Sequence, residues 1–190
     1  MTEAGLRQAL AALSRALTRV GAPFMIIGGI AVVCRGVPRH TDDVDATVWG
    51  PGLDLDALYR ELEAQALVFR IEGGLAFASQ NQVVLLVHTP SEVEIDLSLA
   101  WLPFEEEALQ RAPHERLRGI VLPVACAEDL VIYKALAWRD RDRSDIAQLM
   151  ALHRDDIDVE RVLRVIAPLA LAMELPDRTL ELTRMLRPDG

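Results

Sequence analysis

Hydrophobic residues recur at every third or fourth position near the start of the chain and predict an amphipathic helix over residues 3–20. Thr2 offers a side-chain oxygen for the beginning of this helix, and Gly21 is suited to its end. The apolar positions that define the helical face are Leu6, Leu10, Leu13, Leu17 and Val20. The first predicted element is therefore a helix with one buried face.

The middle of the chain carries short apolar runs that predict a β-sheet. Gly73-Gly74 favours a turn between two pieces of strand, and Thr89-Pro90 interrupts the chain before a later strand. The expected strands cover residues 24–27, 44–49, 68–71 with 75–78, 83–88, 93–99 and 118–124. Helices are expected over residues 30–34 and 55–67.

Beyond residue 126 the apolar spacing returns to that of helices, which are expected over residues 127–138, 142–153, 158–172 and 176–186. The predicted fold class is α/β in the broad α+β sense, a mixed sheet flanked by helices with an α-helical C-terminal third. We expect residues 1–123 to form the core with its N-terminal helix. Residues 124–190 are expected to form a helical region packed on that core, as one structural unit.

The composition is that of an ordinary globular fold, with 51% hydrophobic and 26% charged residues. No apolar run approaches the roughly 18 residues of a membrane-spanning helix, and the first residues lack the pattern of a signal peptide. Two cysteines, Cys34 and Cys126, offer neither a disulfide framework nor a zinc pattern. We therefore expect a cytoplasmic protein without a membrane partner.

The formal net charge of −9 argues against broad, sequence-independent binding of nucleic acid, because neutralising phosphates requires clustered lysine and arginine. A local basic groove is still compatible with this charge. A polyphosphate held by a few cations together with metal ions is compatible with it as well.

The candidate chemistry lies between residues 28 and 45. Gly28-Gly29 stands between a predicted strand and a predicted helix, where bare backbone N–H groups can face a phosphate. Asp43 and Asp45 are two residues apart on the next predicted strand, so both carboxylates leave one face, about 6 to 7 Å apart at the backbone. Magnesium prefers oxygen ligands and substrate phosphates, so the pair predicts a magnesium site, with manganese as the other candidate ion.

A third acid on a neighbouring strand would complete a two-metal arrangement. Asp96 lies between apolar residues of the strand predicted over 93–99, and we take it as this third acid. Glu94 shares its face by the same two-residue spacing, so the residues alone leave both acids open.

These motifs resemble the nucleotidyltransferase superfamily typified by DNA polymerase beta. The matching features are Gly28-Gly29, a spacer of thirteen residues, the Asp-apolar-Asp pair that ends at Asp45, and the separate acid Asp96. The stretch from Lys134 to Asp145 resembles, more narrowly, the AbiE-type toxins of bacterial toxin–antitoxin pairs and their small relatives. Many members of the superfamily carry serine at the second glycine position.

The resemblance implies a nucleotidyltransferase-type sheet and the transfer of a nucleoside monophosphate from a nucleoside triphosphate to a hydroxyl, with release of pyrophosphate. It implies that Gly28 and Gly29 cradle the triphosphate, while Asp43 and Asp45 bind the metal ions. Asp96 would complete the metal site and act as, or position, the general base. Further nucleotide-binding roles are implied for Arg39, Thr41, Lys134 and Asp145.

The residues themselves also allow simpler explanations. Lys134 on an apolar helix is as compatible with an amine that reaches solvent as with a phosphate ligand. The charged run over residues 139–145 is typical of a solvated helix junction.

Three functions remain open at this point. The leading one is an enzyme that modifies RNA, especially a transfer-RNA end, or a protein side chain, as part of a toxin–antitoxin pair with a cognate partner. The second is a non-catalytic, antitoxin-like module that binds a nucleotide or a partner, although three retained acids argue against it. The third is an aminoglycoside-type nucleotidyltransferase, for which the sequence shows no drug-binding surface.

Overall fold

The structure is a computed structural model that describes residues 2–187. Residue 1 of the predicted region 1–123 and residues 188–190 of the predicted region 124–190 lie outside the described residues. Among the described residues, the helices are α1 Glu3–Val20, α2 Gly28–Cys34, α3 Leu55–Glu63, α4 Gly74–Asn81, α5 Pro103–Arg111, α6 Ala127–Ala137, α7 Asp140–His153, α8 Val159–Ala172 and α9 Arg178–Leu186. The strands are β1 Phe24–Ile26, β2 Val44–Trp49, β3 Leu67–Phe69, β4 Val83–His88, β5 Val93–Ala100, β6 His114–Leu117 and β7 Ile120–Pro123. The predicted mixed α/β class is confirmed.

The described part of the chain divides into two compact units. Unit 1 contains the residues up to Ala31 and the segment Arg39–Ala125. Unit 2 contains the segment Val32–Pro38 and the residues from Cys126 onward. The predicted packing of the helical region on the core stays a prediction.

Unit 1 is built around a mixed sheet whose strand order, within the described residues, is β1-β2-β5-β4-β3. β2 and β5 run parallel, whereas the other neighbouring strands are antiparallel. Alternate side chains of the two parallel strands are buried, including Val44 and Ala46 on β2 and Ile95 and Leu97 on β5. Because side chains alternate across a strand, the residues between them lie on the opposite face, where the candidate acids are found.

The helix predicted over residues 3–20 is confirmed as α1. The Thr2 hydroxyl accepts the Gly5 N–H at 3.1 Å, and Gly21 ends the helix with a φ of +72°. The N–H of Gly21 donates to carbonyl groups of the last turn, as expected for a left-handed cap. Burial of one apolar face anchors the helix in unit 1.

The strand predicted over residues 75–78 is wrong, because these residues belong to helix α4. Gly74 packs against the ring of Phe69, which a Cβ atom at this position would overlap. The chain turns into helix α4 after the four residues that follow β3, and β3 pairs with β4 in the sheet. A short apolar run does not distinguish a strand from a buried helix by its spacing, which is why the prediction failed.

Larger differences from the sequence prediction concern the end of one helix, the pairing of one strand and one additional helix. The helix expected over residues 55–67 ends at Glu63, and Leu67 begins strand β3. The strand expected over residues 118–124 corresponds to β7, which pairs with the unpredicted strand β6 in a two-stranded hairpin. Helix α5 was not predicted, since it begins without a polar cap residue; instead the Glu105 carboxylate accepts the N–H groups of the two residues before it.

Unit 2 consists of the end of α2 and of the helices α6 to α9, which agree closely with the predicted helices. Buried ion pairs join these helices, such as that of Arg161 on α8 with Asp129 on α6 at 2.9 Å. His153 contacts the carbonyl oxygen of Arg35 through its Nε2 atom at 2.7 Å, which ties α7 to the segment after α2. None of the helices within residues 2–187 has the length and apolar character required to cross a bilayer.

The buried His88 predicts an acid-sensitive unit 1. Its Nδ1 atom contacts the Ser91 hydroxyl at 2.6 Å, and burial, with a smaller contribution from Arg15, lowers the pKa of His88. The unfolded chain, with an ordinary histidine pKa of about 6.5, then binds more protons than the folded chain below this pH. We expect the free energy of unfolding to fall as the pH is lowered from about 7 to 5.5.

Urea unfolding across this pH range measures the effect in the wild type, in His88→Gln and in His114→Gln. The first variant should show a weaker pH dependence, whereas the second, at an exposed histidine, should match the wild type. An equal pH dependence for His88→Gln and the wild type would contradict the assignment.

Candidate active site

The candidate site begins where β1 turns into α2. Gly28 adopts a φ of +62°, and a Cβ atom there would overlap the Asp45 carboxylate. The N–H of Gly29 points at the same carboxylate, with 3.4 Å between the nitrogen and Oδ2. Both the backbone angle and the close approach of Asp45 therefore require glycine at position 28.

Gly29 is crowded from the other side. A Cβ atom at this position would lie 2.6 Å from Thr41 Oγ1 and 3.2 Å from Arg39 Nη2. Serine, which many members of the resembled superfamily carry here, would force Thr41 to move. Gly29 and Thr41 therefore fit each other sterically, and Arg39 lies close to the same glycine.

Asp45 is the second residue of β2, and Asp43 directly precedes this strand, which begins at Val44. The Thr41 hydroxyl donates to Asp43 Oδ1 at 2.8 Å and lies 3.4 Å from the Asp43 carbonyl oxygen. Thr41 therefore holds the Asp43 carboxylate, while the turn of the glycines holds that of Asp45.

Asp96 lies directly opposite Asp45, because β2 and β5 pair in parallel with these two residues in register. Neighbouring strands are separated by about 4.8 Å, so the two side chains leave the sheet as neighbours on one face. Glu94 lies two residues earlier on β5 and is more exposed, with 64% of its side chain accessible against 43% for Asp96. The register favours Asp96 over Glu94 as the acid that accompanies Asp45.

Arg70 was missed in the sequence, although it contacts both of these acids. Its Nη2 atom lies 2.6 Å from Asp96 Oδ1, and its Nη1 atom lies 3.0 Å from Glu94 Oε2. Arg70 directly follows β3 and therefore comes from the far side of β4 in the sheet. No pattern in the sequence indicates this pairing, because only the strand order brings residue 70 next to β5.

The candidate acids Asp43, Asp45 and Asp96 offer carboxylate oxygens, which suit a hard cation such as Mg²⁺. Among residues 2–187, no three acidic, histidine or cysteine side chains are already grouped so as to hold a metal ion by themselves. Mg²⁺ in nucleotide sites is usually held by one or two carboxylates, with substrate phosphates supplying further oxygens. Asp43 and Asp45 therefore fit the protein's share of a magnesium–nucleotide complex.

Unit 2 holds the other two predicted residues, Lys134 on α6 and Asp145 on α7. The Lys134 ammonium lies 3.1 Å from Asp142 Oδ1 and 2.9 Å from Asp145 Oδ2, and only 8% of its side chain is exposed. The amine is therefore largely buried and links two helices. Lys134 is also the only lysine in a chain with nineteen arginines, which is the feature of the sequence that distinguishes it.

Asp142 is the most deeply buried member of this group, with no exposed side-chain surface. Burial raises the pKa of Asp142, but hydrogen bonds from Arg139 and Lys134 outweigh it and hold the pKa below its usual range. The carboxylate therefore stays ionised, and its charge is compensated inside the unit.

Comparison with known families places the chain clearly. The family model described as "Nucleotidyl transferase AbiEii toxin, Type IV TA system" matches residues 9–186, which is nearly the whole chain. A comparison with curated proteins gave no match.

Solved structures of similar fold include nucleotidyltransferases. The chain is similar to the antibiotic-resistance factor ANT(2'')-Ia in solution, with a TM-score of 0.60 and 18% identity over 91% of this chain and 97% of that one. It is similar to the lincomycin-bound lincosamide antibiotic adenylyltransferase LnuA, with a TM-score of 0.52 and 15% identity over 80% and 98%. A nucleotidyltransferase-like protein from Paracoccidioides brasiliensis gives a TM-score of 0.52 and 16% identity over 92% and 91%. At these identities the likeness shows the fold, which confirms the predicted nucleotidyltransferase-type sheet.

The buried lysine predicts a strong dependence of unit 2 on one charge. Lys134→Met fills a similar volume but leaves two buried carboxylates without their shared cation, so we expect a loss of about 3 to 5 kcal/mol in unfolding free energy. Lys134→Arg should also destabilise, because the wider guanidinium does not fit the space of a compact ammonium. Denaturant unfolding measures both, with Arg141→Met on the exposed face of α7 as the control. A Lys134→Met protein as stable as this control would contradict the structural role.

Proposed function

We propose that this chain, which belongs to the AbiEii nucleotidyl transferase toxin family, transfers a nucleoside monophosphate from a nucleoside triphosphate to a hydroxyl group in a magnesium-dependent reaction. The observation that carries the proposal is the register of Asp45 with Asp96 across two parallel strands, beside the turn at Gly28 and Gly29. Two carboxylates at about 4 Å would repel each other by about 4 kcal/mol near a protein surface. Bound cations turn this repulsion into affinity.

The triphosphate would bind beside the glycine turn. Gly28 and Gly29 carry no side chain, and the Asp45 carboxylate and the Thr41 hydroxyl lie in the space that their Cβ atoms would take, so a phosphate at this turn would lie beside these two side chains. Arg39 lies beside Gly29 and supplies a guanidinium that can pair with a phosphate oxygen. Thr41 would orient Asp43 toward the nucleotide, since its hydroxyl already donates to that carboxylate.

In the proposed reaction, the oxygen of the acceptor hydroxyl attacks the α-phosphorus. The bond between this phosphorus and the oxygen bridging to the β-phosphate breaks, and pyrophosphate leaves. Asp96, the half-exposed acid of β5, would accept the proton of the hydroxyl or orient it. Magnesium, when bound by Asp43 and Asp45, would neutralise phosphate charge and align the reacting oxygens; manganese is the alternative ion.

Lys134 and Asp145 keep a proposed part in nucleotide binding, but the ion pairs of Lys134 restrict the number of contacts that it could make to a phosphate. Two carboxylates already contact the Lys134 ammonium, which has three N–H donors in total. Any phosphate contact would therefore use the remaining donor. Asp145 would orient the amine, as the ion pair of 2.9 Å supports.

For the acceptor we propose the hydroxyl of an RNA end, such as that of transfer RNA, or of a protein side chain. The net charge of −9 disfavours extended nucleic-acid contact and leaves a protein or a locally bound RNA end. The description of the family as a toxin of a Type IV TA system supports a cognate antitoxin as the functional partner. A cytoplasmic location fits such acceptors.

Transfer can be tested by incubating the protein with each α-labelled nucleoside triphosphate, Mg²⁺ and cell extract. Label should enter an RNA or a protein fraction, and Asp43→Asn/Asp45→Asn should lower the rate by at least about a hundredfold while the protein stays folded. Glu63→Gln/Glu106→Gln removes the same charge at exposed positions and serves as the control. Purified aminoglycosides are included as acceptors to test the third function, and lincosamides are included because one structural neighbour is a lincosamide antibiotic adenylyltransferase.

Labelling of neither macromolecule nor antibiotic, with nucleotide binding intact, would instead support the binding-module function. Full activity of the double variant would contradict the metal-site assignment.

The choice of third acid generates a separate prediction. Asp96→Asn and Glu94→Gln each remove one ion pair to Arg70, so any structural effect of that loss is shared. Only Asp96→Asn should lower the turnover number by about a hundredfold or more at nearly unchanged nucleotide affinity. Steady-state rates, with melting temperatures of the same preparations, measure this difference. The reverse pattern, with Glu94→Gln inactive and Asp96→Asn active, would make Glu94 the third acid.

A further inference from the structure

Arg70 is anchored at a point where its guanidinium reaches two acids at once. Its backbone N–H donates to the carbonyl oxygen of Leu85 on β4 at 3.1 Å, which fixes the beginning of the side chain. Nη1 and Nη2 then contact Glu94 and Asp96 respectively, and only 23% of the arginine side chain is exposed. Because the group is partly shielded, solvent and salt screen these ion pairs less than they screen surface pairs.

Asp96 can therefore pair with two kinds of cation, the Arg70 guanidinium and a divalent metal ion. Its position opposite Asp45 would make it the third ligand of the proposed metal–nucleotide complex, while Arg70 already donates to its Oδ1 atom at 2.6 Å. A guanidinium in contact with this carboxylate satisfies part of its charge and repels an approaching divalent ion.

We propose that Arg70 competes with a divalent cation for Asp96 and thereby sets how tightly the site takes up metal. This inference rests on the proposed metal-dependent function. Arg70 is a positioning residue in this scheme, since it acts on the metal through Asp96. Without metal, Arg70 compensates the charge of Asp96 and limits its repulsion of Asp45 across the strand pair.

Glu94 provides a second position for the Arg70 guanidinium, in which Arg70 pairs with Glu94 alone. When Asp96 turns toward a metal ion, Arg70 loses one ion pair but keeps that with Glu94 at 3.0 Å. The arginine then stays beside the acids and is not expelled into solvent. The two bonds use different nitrogens of one planar fork, so one can break while the other remains.

The test measures metal binding without turnover. Free Mn²⁺ is followed by electron paramagnetic resonance in the presence of an α,β-methylene nucleoside triphosphate, which the protein cannot cleave, and without acceptor. Arg70→Gln should bind Mn²⁺ about three- to tenfold more tightly than the wild type, the range expected for one partly shielded ion pair. Arg70→Lys keeps the charge but loses the fork, so its affinity should lie between the two. This variant also keeps the inference testable where Arg70→Gln does not fold.

Two further variants separate competition from a general effect. Arg19→Gln loses an exposed ion pair to Glu61 within the same unit and should match the wild type. Adding Asp96→Asn to Arg70→Gln should abolish the gain in affinity, because the ligand for which Arg70 competes is removed. A purely structural ion pair would change the melting temperature of Arg70→Gln but leave its affinity for Mn²⁺ unchanged.

The outcomes of this inference and of the proposed function are distinguishable. Wild-type binding of Mn²⁺ with equal or weaker affinity in folded Arg70→Gln would overturn the role of Arg70 alone. Absence of Mn²⁺ binding in the wild type and in all variants would overturn the metal-dependent function and this inference with it. Binding that appears only in Arg70→Gln would support the competition in its strongest form.

Discussion

The parallel pairing of β2 with β5 is the constraint on which the candidate site depends. In this register Asp45 and Asp96 share one face of the sheet as neighbours, whereas the residues that flank each of them are buried on the other face. A shift by one residue would turn either acid toward the core. The tightly packed apolar face of the sheet therefore fixes the spacing of the charged face.

Charge compensation explains the residues around these acids. The Gly29 N–H faces the Asp45 carboxylate, the Thr41 hydroxyl donates to Asp43, and Arg70 donates to Asp96. Each carboxylate thus has a polar contact of its own, so the acids can stand close together. A nucleotide and its cation, if bound here, would replace some of these polar contacts with their own contacts to the carboxylates.

Unit 2 uses the same principle in a buried setting. The Lys134 ammonium joins Asp142 and Asp145, and Arg161 joins Asp129, so that charged side chains connect neighbouring helices. Breaking such a pair leaves an uncompensated buried charge, which is far more costly than losing an exposed ion pair. From the sequence alone, the charged run over residues 139–145 is typical of a solvated helix junction. In the structure, Asp142 and Asp145 of this run are buried and contact Lys134.

The sequence by itself determined the class of fold, the helix α1 with its caps, the strands of the glycine turn and of the acids, and the family to which the motifs point. These features depend on local properties: the spacing of apolar residues, the freedom of glycine, and pairs of acids at a spacing of two. Helix α4 was mistaken for a strand because a short apolar run has the same appearance in both structures. Only the tertiary structure decided that Arg70 reaches Asp96, because the strand order brings residue 70 to β5. It also decided that Lys134 is buried, because helix packing places Asp142 and Asp145 around the lysine.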